Sequence, residues 1–146
     1  RPIDVGYICG ADLMVPKHIL DRTGSFNPDF FMYYEETELS WRIKNKGHRI
    51  VSIPQARIIH LEGKSSSQSL DRELRMFTSR RIYYQKTHDA IYRMLVEANY
   101  TLFTMMGLAV GFLPGMKALR TKTLQRLRTL KNAREATRLR TSQRQI

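Results

Sequence analysis

Glu35, Glu36 and Glu38 lie within four residues of one another, directly after an aromatic run of Phe30, Phe31, Tyr33 and Tyr34. Acids this close repel, which pushes at least one pKa upward. A carboxylate so perturbed is suited to take a proton from a hydroxyl within hydrogen-bond reach. The start of a helix supports such a cluster, because the dipole stabilises each carboxylate there by ~0.3–1 kcal/mol. Arg42 follows Glu38 by one helical turn and can hold and orient it. Farther on, His60 closes the stretch. The pattern points to a polar site on an apolar floor. The plainer alternative is that acids are common in first helical turns and Glu–Arg pairs at this spacing mostly decorate surfaces. On the triplet alone the plainer alternative is the favoured one.

The elements that must position these residues can be read from local signals. Val5–Val15 (VGYICGADLMV) is expected to be a buried strand broken near Gly10–Ala11. Pro16 opens a short helix, KHILDRT, and Gly24 stops it. Asn27–Pro28–Asp29 is turn chemistry. A helix is expected from Glu35 to about Lys46, with Leu39 and Ile43 on its buried side and Gly47 in a left-handed C-terminal cap. His48–Ile53 and Ala56–His60 follow as short strands joined at Pro54, and Gly63–Ser67 as a polar loop. Cys9 is expected to be a small buried apolar residue, and His18, His48 and His88 surface residues.

Beyond residue 68 the chain changes character. Ser69 is placed to cap a helix with Asp71 and Glu73 in its first turn. Leu70, Leu74, Phe77 and Tyr84 share one face of it. An apolar stretch from Ala90 to Phe112 is interrupted by Arg93, Glu97 and Asn99, and Pro114–Gly115 ends it. Its uninterrupted part, Thr101–Met116, is shorter than the ~20 residues a spanning helix needs. A last helix carries Met116, Leu119, Leu127 and Leu130 on one face.

The charge is equally divided in character. Residues 117–146 hold ten Lys and Arg against the single acid Glu135, while residues 1–116 hold fifteen against twelve. A cationic arm seeks phosphate-rich or acidic partners. The arm contains no Phe, Tyr or Trp, which argues against nucleic acid, where stacking aromatics accompany the cations. With the Met-rich apolar segment before it, the arm is expected to meet an anionic membrane surface through residues 90–146. A second subunit packed on these helices is the alternative. The lone Cys9 excludes an intrachain disulfide and fits a reducing compartment. The chain begins at Arg1 without a signal-peptide pattern, and is read as a piece of a longer protein.

Gly10–Ala11, Gly24, Phe26, Phe30, Phe31, Tyr33, Glu35, Glu36, Glu38, Leu39, Arg42, Gly47, Pro54, Ala56, His60, Gly63 and Ser65 occur in a fixed order and spacing. That pattern resembles the family 2 glycosyltransferases, in particular their rhamnosyltransferase-like members. The resemblance covers about residues 5–66, and Arg80–His88 looks like the helix that follows in such proteins. It implies an α/β fold: the acceptor-side half of a GT-A-like domain over 1–68, followed by a mostly α-helical extension over 69–146. It implies an inverting transferase that uses a nucleotide-sugar donor and a saccharide or lipid-linked acceptor at the cytoplasmic face of a membrane. By the same resemblance Glu36 stands where the general base belongs. Gly10, Ala11, Glu35, Glu38 and Arg42 stand at substrate-binding positions. His60 stands at the position of a ligand to a Mg²⁺ or Mn²⁺ ion.

Three departures accompany it. The family usually has Asp where this chain has Glu36 and Glu38. The Asp-x-Asp motif of the nucleotide-binding half is absent, so this chain is expected to be inactive and metal-free by itself. The Q/R-x-x-R-W motif of processive members is also absent. The competing reading is a non-catalytic helical module that binds membrane or nucleic acid through its basic tail.

Overall fold

A computed structural model describes residues 1–60 and 69–142, with side chains described for 1–60 and 72–140. The chain divides into two compact units, Arg1–Ser69 and Leu70–Ile146.

In the first unit the strongest local signals set the helices. Helix α1 spans Lys17–Thr23. Pro16 precedes it and Gly24, at φ 82°, ends it by donating to the Leu20 carbonyl at 2.7 Å. Helix α2 spans Glu35–Asn45 and ends at Gly47, whose φ of 83° suits a residue without Cβ. Between them Asn27 makes a turn, its Oδ1 accepting from the Asp29 N–H at 3.0 Å and its carbonyl from the Phe30 N–H at 3.1 Å. Ile19 of α1, Leu39 and Ile43 of α2, and Ile50 form the buried core, with Val5, Ile8, Leu13, Val15 and Leu20 packed on it. Leu39, 1% exposed, is its most buried member.

The strands expected here are almost absent. Two residues, β1 (Ile3–Asp4), pair antiparallel with β2 (Val51–Ser52), Ile3 opposite Ser52 and Asp4 opposite Val51. The Val5 N–H extends the ladder to the Ile50 carbonyl at 3.0 Å. Residues 5–15 and 56–60 are irregular, and the Asp12 N–H turns back to the Cys9 carbonyl at 3.1 Å. A strand exists only as half of a ladder, and beyond Val5 the described residues give this segment no ladder partner. Among the described residues the chain is mostly helical with one short two-stranded ladder, and the helical extension expected from residue 69 onward is present as α-helix. Cys9 is exposed, not buried.

The second unit is three helices: α3 (Ser69–Thr87), α4 (Ala90–Val110) and α5 (Lys117–Ser142). Asp89 caps α4, its carboxylate accepting from the Tyr92 N–H at 2.7 Å. Phe77, Leu130 and Ala133 form the core, with Leu74 and Tyr100 against it. Arg80, 3% exposed, lays its guanidinium 3.5 Å from the Tyr100 ring centre and 4.8 Å from that of Phe77. Helices α4 and α5 run antiparallel. Glu97 meets Arg134 at 3.0 Å at one end, and Gly111 meets the Arg120 backbone at the other. Glu97 also pairs with Arg81 of α3. His88, expected at the surface, is partly buried and stacks on Tyr92 at 4.2 Å. The expected loop at Gly63–Ser67, the cap at Ser69 and the Leu70 and Asp71 side chains lie outside the described residues.

Candidate active site at the start of α2

Helix α2 begins in an unusual way. Tyr33 and Tyr34 both adopt left-handed backbone, at φ 69° and 67°, and Tyr34 supplies no side-chain cap. Such a conformation costs a non-glycine residue about 1–3 kcal/mol and persists only where the surroundings enforce it. Its effect is to bring the chain abruptly into the helix with three acids, Glu35, Glu36 and Glu38, in the first turn. Phe30 is buried beneath this entry, whereas Phe31 is exposed, so the aromatic run supplies only part of a floor.

The three carboxylates have different surroundings. Glu38 is 3% exposed, and both of its oxygens accept from Arg42 Nε, at 2.9 and 3.0 Å. Arg42 continues past it to the end of α1. Its Nη1 donates to the Thr23 carbonyl and, at 3.1 Å, to that of Gly24, and its Nη2 to that of Ser25 at 2.7 Å. The Glu38–Arg42 pair therefore ties the start of the turn-forming loop to α2. The i,i+4 spacing announced the pair; the carbonyl contacts, 17–19 residues away in sequence, had no local signal. Lys46 adds a similar tie from its Nζ to the Arg22 carbonyl.

Glu35 has a buried Oε2 with no hydrogen-bond partner among the described residues. An orphaned acceptor of this kind is costly unless a donor arrives. Glu36 is half-buried. Burial pushes its carboxyl above the usual glutamate value of about 4.5; a bond from its own backbone N–H opposes the rise, and the Glu35 charge adds to it. Repulsion among the acids was the expected cause, but desolvation leads. Beside Glu36 passes the loop of Gly10 and Ala11, both exposed, and a Cβ on Gly10 would lie 3.8 Å from the Glu36 Cβ. Glycine leaves that flank of the carboxylate bare. Thus Gly10 comes beside Glu36, while Glu38 and Arg42 pair with each other on the same helix.

His60 is exposed at the end of the described part of the first unit. Among the described residues no three His, Cys, Asp or Glu side chains converge to hold a metal ion, and no step is routed through a metal.

A feature with no sequence signal is a cavity of about 340 Å³ whose wall includes Ile8, Leu13, Val15, Ser40, Ile43 and Ile50. The Ser40 hydroxyl is buried there without a partner among the described residues.

No protein-family model matches the chain, and no solved structure matches it. Two curated relatives do. Both are N-acetylglucosaminyl-diphospho-decaprenol L-rhamnosyltransferases of Mycobacterium tuberculosis, from strains CDC 1551 / Oshkosh and ATCC 25618 / H37Rv. Each is 30% identical to this chain over 64 residues, which is 44% of this chain and 21% of the relative. The chain spans about a fifth of the length of the curated relatives it matches. Over that part it is similar to a glycosyltransferase.

Proposed function

We propose that the first unit is the acceptor-side part of an inverting, GT-A-like glycosyltransferase of family 2, with Glu36 as its general base. The observation that carries this is the Glu36 carboxyl. It sits half-buried at a helix start with its pKa raised, flanked by the bare Gly10 backbone, in a chain similar to a rhamnosyltransferase. A carboxylate whose pKa is raised toward neutrality is a better proton acceptor while it still ionises at working pH.

In the proposed step Glu36 takes the proton of an acceptor hydroxyl. The oxygen attacks the anomeric carbon from the face opposite the nucleotide diphosphate. The new glycosidic bond forms as the bond to the diphosphate oxygen breaks, and the diphosphate leaves with that electron pair. Glu35 adjoins Glu36 in the first turn of α2 and is the proposed acceptor-binding carboxylate. Glu38 and Arg42 hold α2 in register, so that Glu36 keeps its position. The relatives are named for a lipid-linked sugar, N-acetylglucosaminyl-diphospho-decaprenol, and for L-rhamnosyl transfer. The acceptor class proposed for this chain is likewise a lipid-linked saccharide, and the donor a nucleotide-sugar.

The test is Glu36→Gln, assayed for sugar transfer in the longest natural polypeptide that includes these residues. Gln keeps the shape and removes the basic oxygen, so kcat should drop by about 10²–10⁴-fold while the KM for donor changes little. Turnover at the level of the unaltered protein would remove the assignment.

A further inference from the structure

Helices α4 and α5 pack with their polarity reversed. Most of the buried positions on these two helices are small or hydroxylic: Thr104, Gly111, Thr123, Ala133 and Thr137 are all buried, with Leu130 the large exception. The threonines satisfy their own hydroxyls by donating to the carbonyl four residues back, as Thr104 does to Tyr100 at 2.6 Å and Thr123 to Leu119 at 2.8 Å. Gly107 and Gly111, one turn apart, let α5 approach closely. A Cβ on Gly111 would lie 2.8 Å from the Arg120 backbone. The large apolar side chains point the other way. Ile91, Leu95, Leu102, Phe103, Met106 and Val110 are 45–68% exposed.

Among the exposed residues of α4 only Tyr92 and Asn99 carry a polar side-chain group, and none carries a charge. Its two charged residues, Arg93 and Glu97, are partly buried, with Glu97 paired to Arg81 and Arg134. Small and hydroxyl residues inside with large apolar ones outside is the arrangement of helices that pack in lipid, where water gives no reason to hide a Leu. No helix of the described residues is long and apolar enough to cross a membrane, so the face must lie in the plane of a surface. At 1.5 Å per residue α4 offers an apolar strip about 30 Å long.

We infer that this face docks on an anionic lipid bilayer, with α4 lying in the headgroup–acyl boundary and the cations of α5 on the headgroups. Three observations select a lipid surface over a protein partner. The exposed face of α4 itself carries no charge and only two polar side chains, Tyr92 and Asn99, to hydrogen-bond a protein partner. Residues 70–146 hold sixteen Lys and Arg against five acids, so two copies brought together would repel, whereas anionic headgroups attract. Exposed cations such as Lys117, Arg128, Lys131 and Arg138 are spread along the length of α5, the helix that packs against α4. Their long stems can lie on the apolar layer while the charge stays at phosphate level. The inference stands apart from the transferase reading and does not depend on Glu36.

Co-sedimentation of the whole chain with phosphatidylcholine vesicles, and with an equal mixture of phosphatidylcholine and phosphatidylglycerol, tests it. The chain should bind the mixed vesicles at least about tenfold more tightly, with the difference shrinking as salt rises. The double variant Leu102→Glu/Met106→Glu alters only exposed positions and should keep its helical circular dichroism. It should lose binding to both vesicles by about tenfold or more. Arg128→Glu/Lys131→Glu should lose the preference for anionic vesicles and keep the salt-insensitive remainder. Failure of the unaltered chain to bind mixed vesicles would overturn the inference, as would undiminished binding by the Leu102/Met106 variant. So would a dimer in sedimentation equilibrium that the Leu102/Met106 variant abolishes without loss of vesicle binding, because the strip would then be a self-association surface.

Discussion

The two units of this chain solve opposite problems with opposite materials. The first is nearly charge-balanced, with nine basic and eight acidic residues, and it has little regular structure to lean on. Its loops are held by long cationic side chains reaching backbone carbonyls, as Arg42 does at Thr23, Gly24 and Ser25. The second is strongly cationic and almost wholly helical, so its backbone satisfies itself. Its threonines likewise bond within their own helices. Where secondary structure is sparse, side chains must do the satisfying, and the residues that do so become individually expensive to lose. Where helices supply the bonds, what matters is how closely two backbones can approach.

The largest expected effect breaks the first half of that contrast. Arg42→Met removes the partner of a carboxylate that is 3% exposed, together with three carbonyl contacts. An uncompensated buried charge of this kind costs about 3–5 kcal/mol. Hydrogen exchange should show α1 and α2 losing protection while α4 and α5 keep theirs. Uniform loss in both units would show that the two do not unfold separately.

Next in size is Gly111→Ala. Its Cβ would stand 2.8 Å from the Arg120 backbone, which cannot rotate away. Over-packing of this kind costs about 1–3 kcal/mol, read by urea denaturation of the second unit. Gly107→Ala is the control, because its Cβ would meet only the Thr123 side chain, Oγ1 at 3.5 Å and Cγ2 at 3.8 Å. It should be neutral or gain stability up to the ~1 kcal/mol that Ala offers over Gly in a helix. Equal losses in both variants would mean that the seam is not set at Gly111.

Smaller effects come from titration. Glu36 has a raised pKa in the folded chain, so the folded state binds its proton more readily than the unfolded one. Its contribution is fully favourable below the unfolded value of about 4.5 and is lost as pH rises through the folded pKa. Glu36→Gln should flatten that fall in stability of the first unit. In the proposed reaction the same group must be ionised, so the acidic limb of kcat should have its midpoint above about 4.5.

The smallest effect belongs to Asp4, whose carboxyl is lowered by its hydrogen bond with Arg49, both groups standing in solvent. A depressed carboxylate stabilises above its unfolded pKa and loses that contribution as pH falls through the folded one. Because solvent and salt screen an exposed pair, Asp4→Asn should leave the denaturation midpoint almost unchanged at physiological salt. A marked loss would make the β1–β2 pair a structural pin like Arg42.

How far the sequence reached can be judged residue by residue. Pro16, Gly24 and Gly47 mark helix ends because each has a backbone constraint that acts locally, and α1 and α2 end where these residues say. The Glu38–Arg42 pair was legible for the same reason, since one helical turn fixes the distance. Asp89 before the apolar run caps α4, and an Asp at that position is a local signal of the same kind. The strand expected over Val5–Val15 failed because apolar content signals burial, and burial there comes from packing on α1 and α2, not from a ladder.

Sequence alone thus determined where helices start and stop, which helix carries the carboxylates, and how unevenly the charge is spread, because these depend on contacts within one or two turns. Only the tertiary structure decided which of the three acids is clamped, which has an unpartnered oxygen and which is raised by burial. It also decided that Gly10 comes to lie beside Glu36, and that α4 turns its glycines and threonines inward and its methionines outward. Those outcomes depend on what each residue meets many positions away, and no local spacing encodes the energy of that meeting.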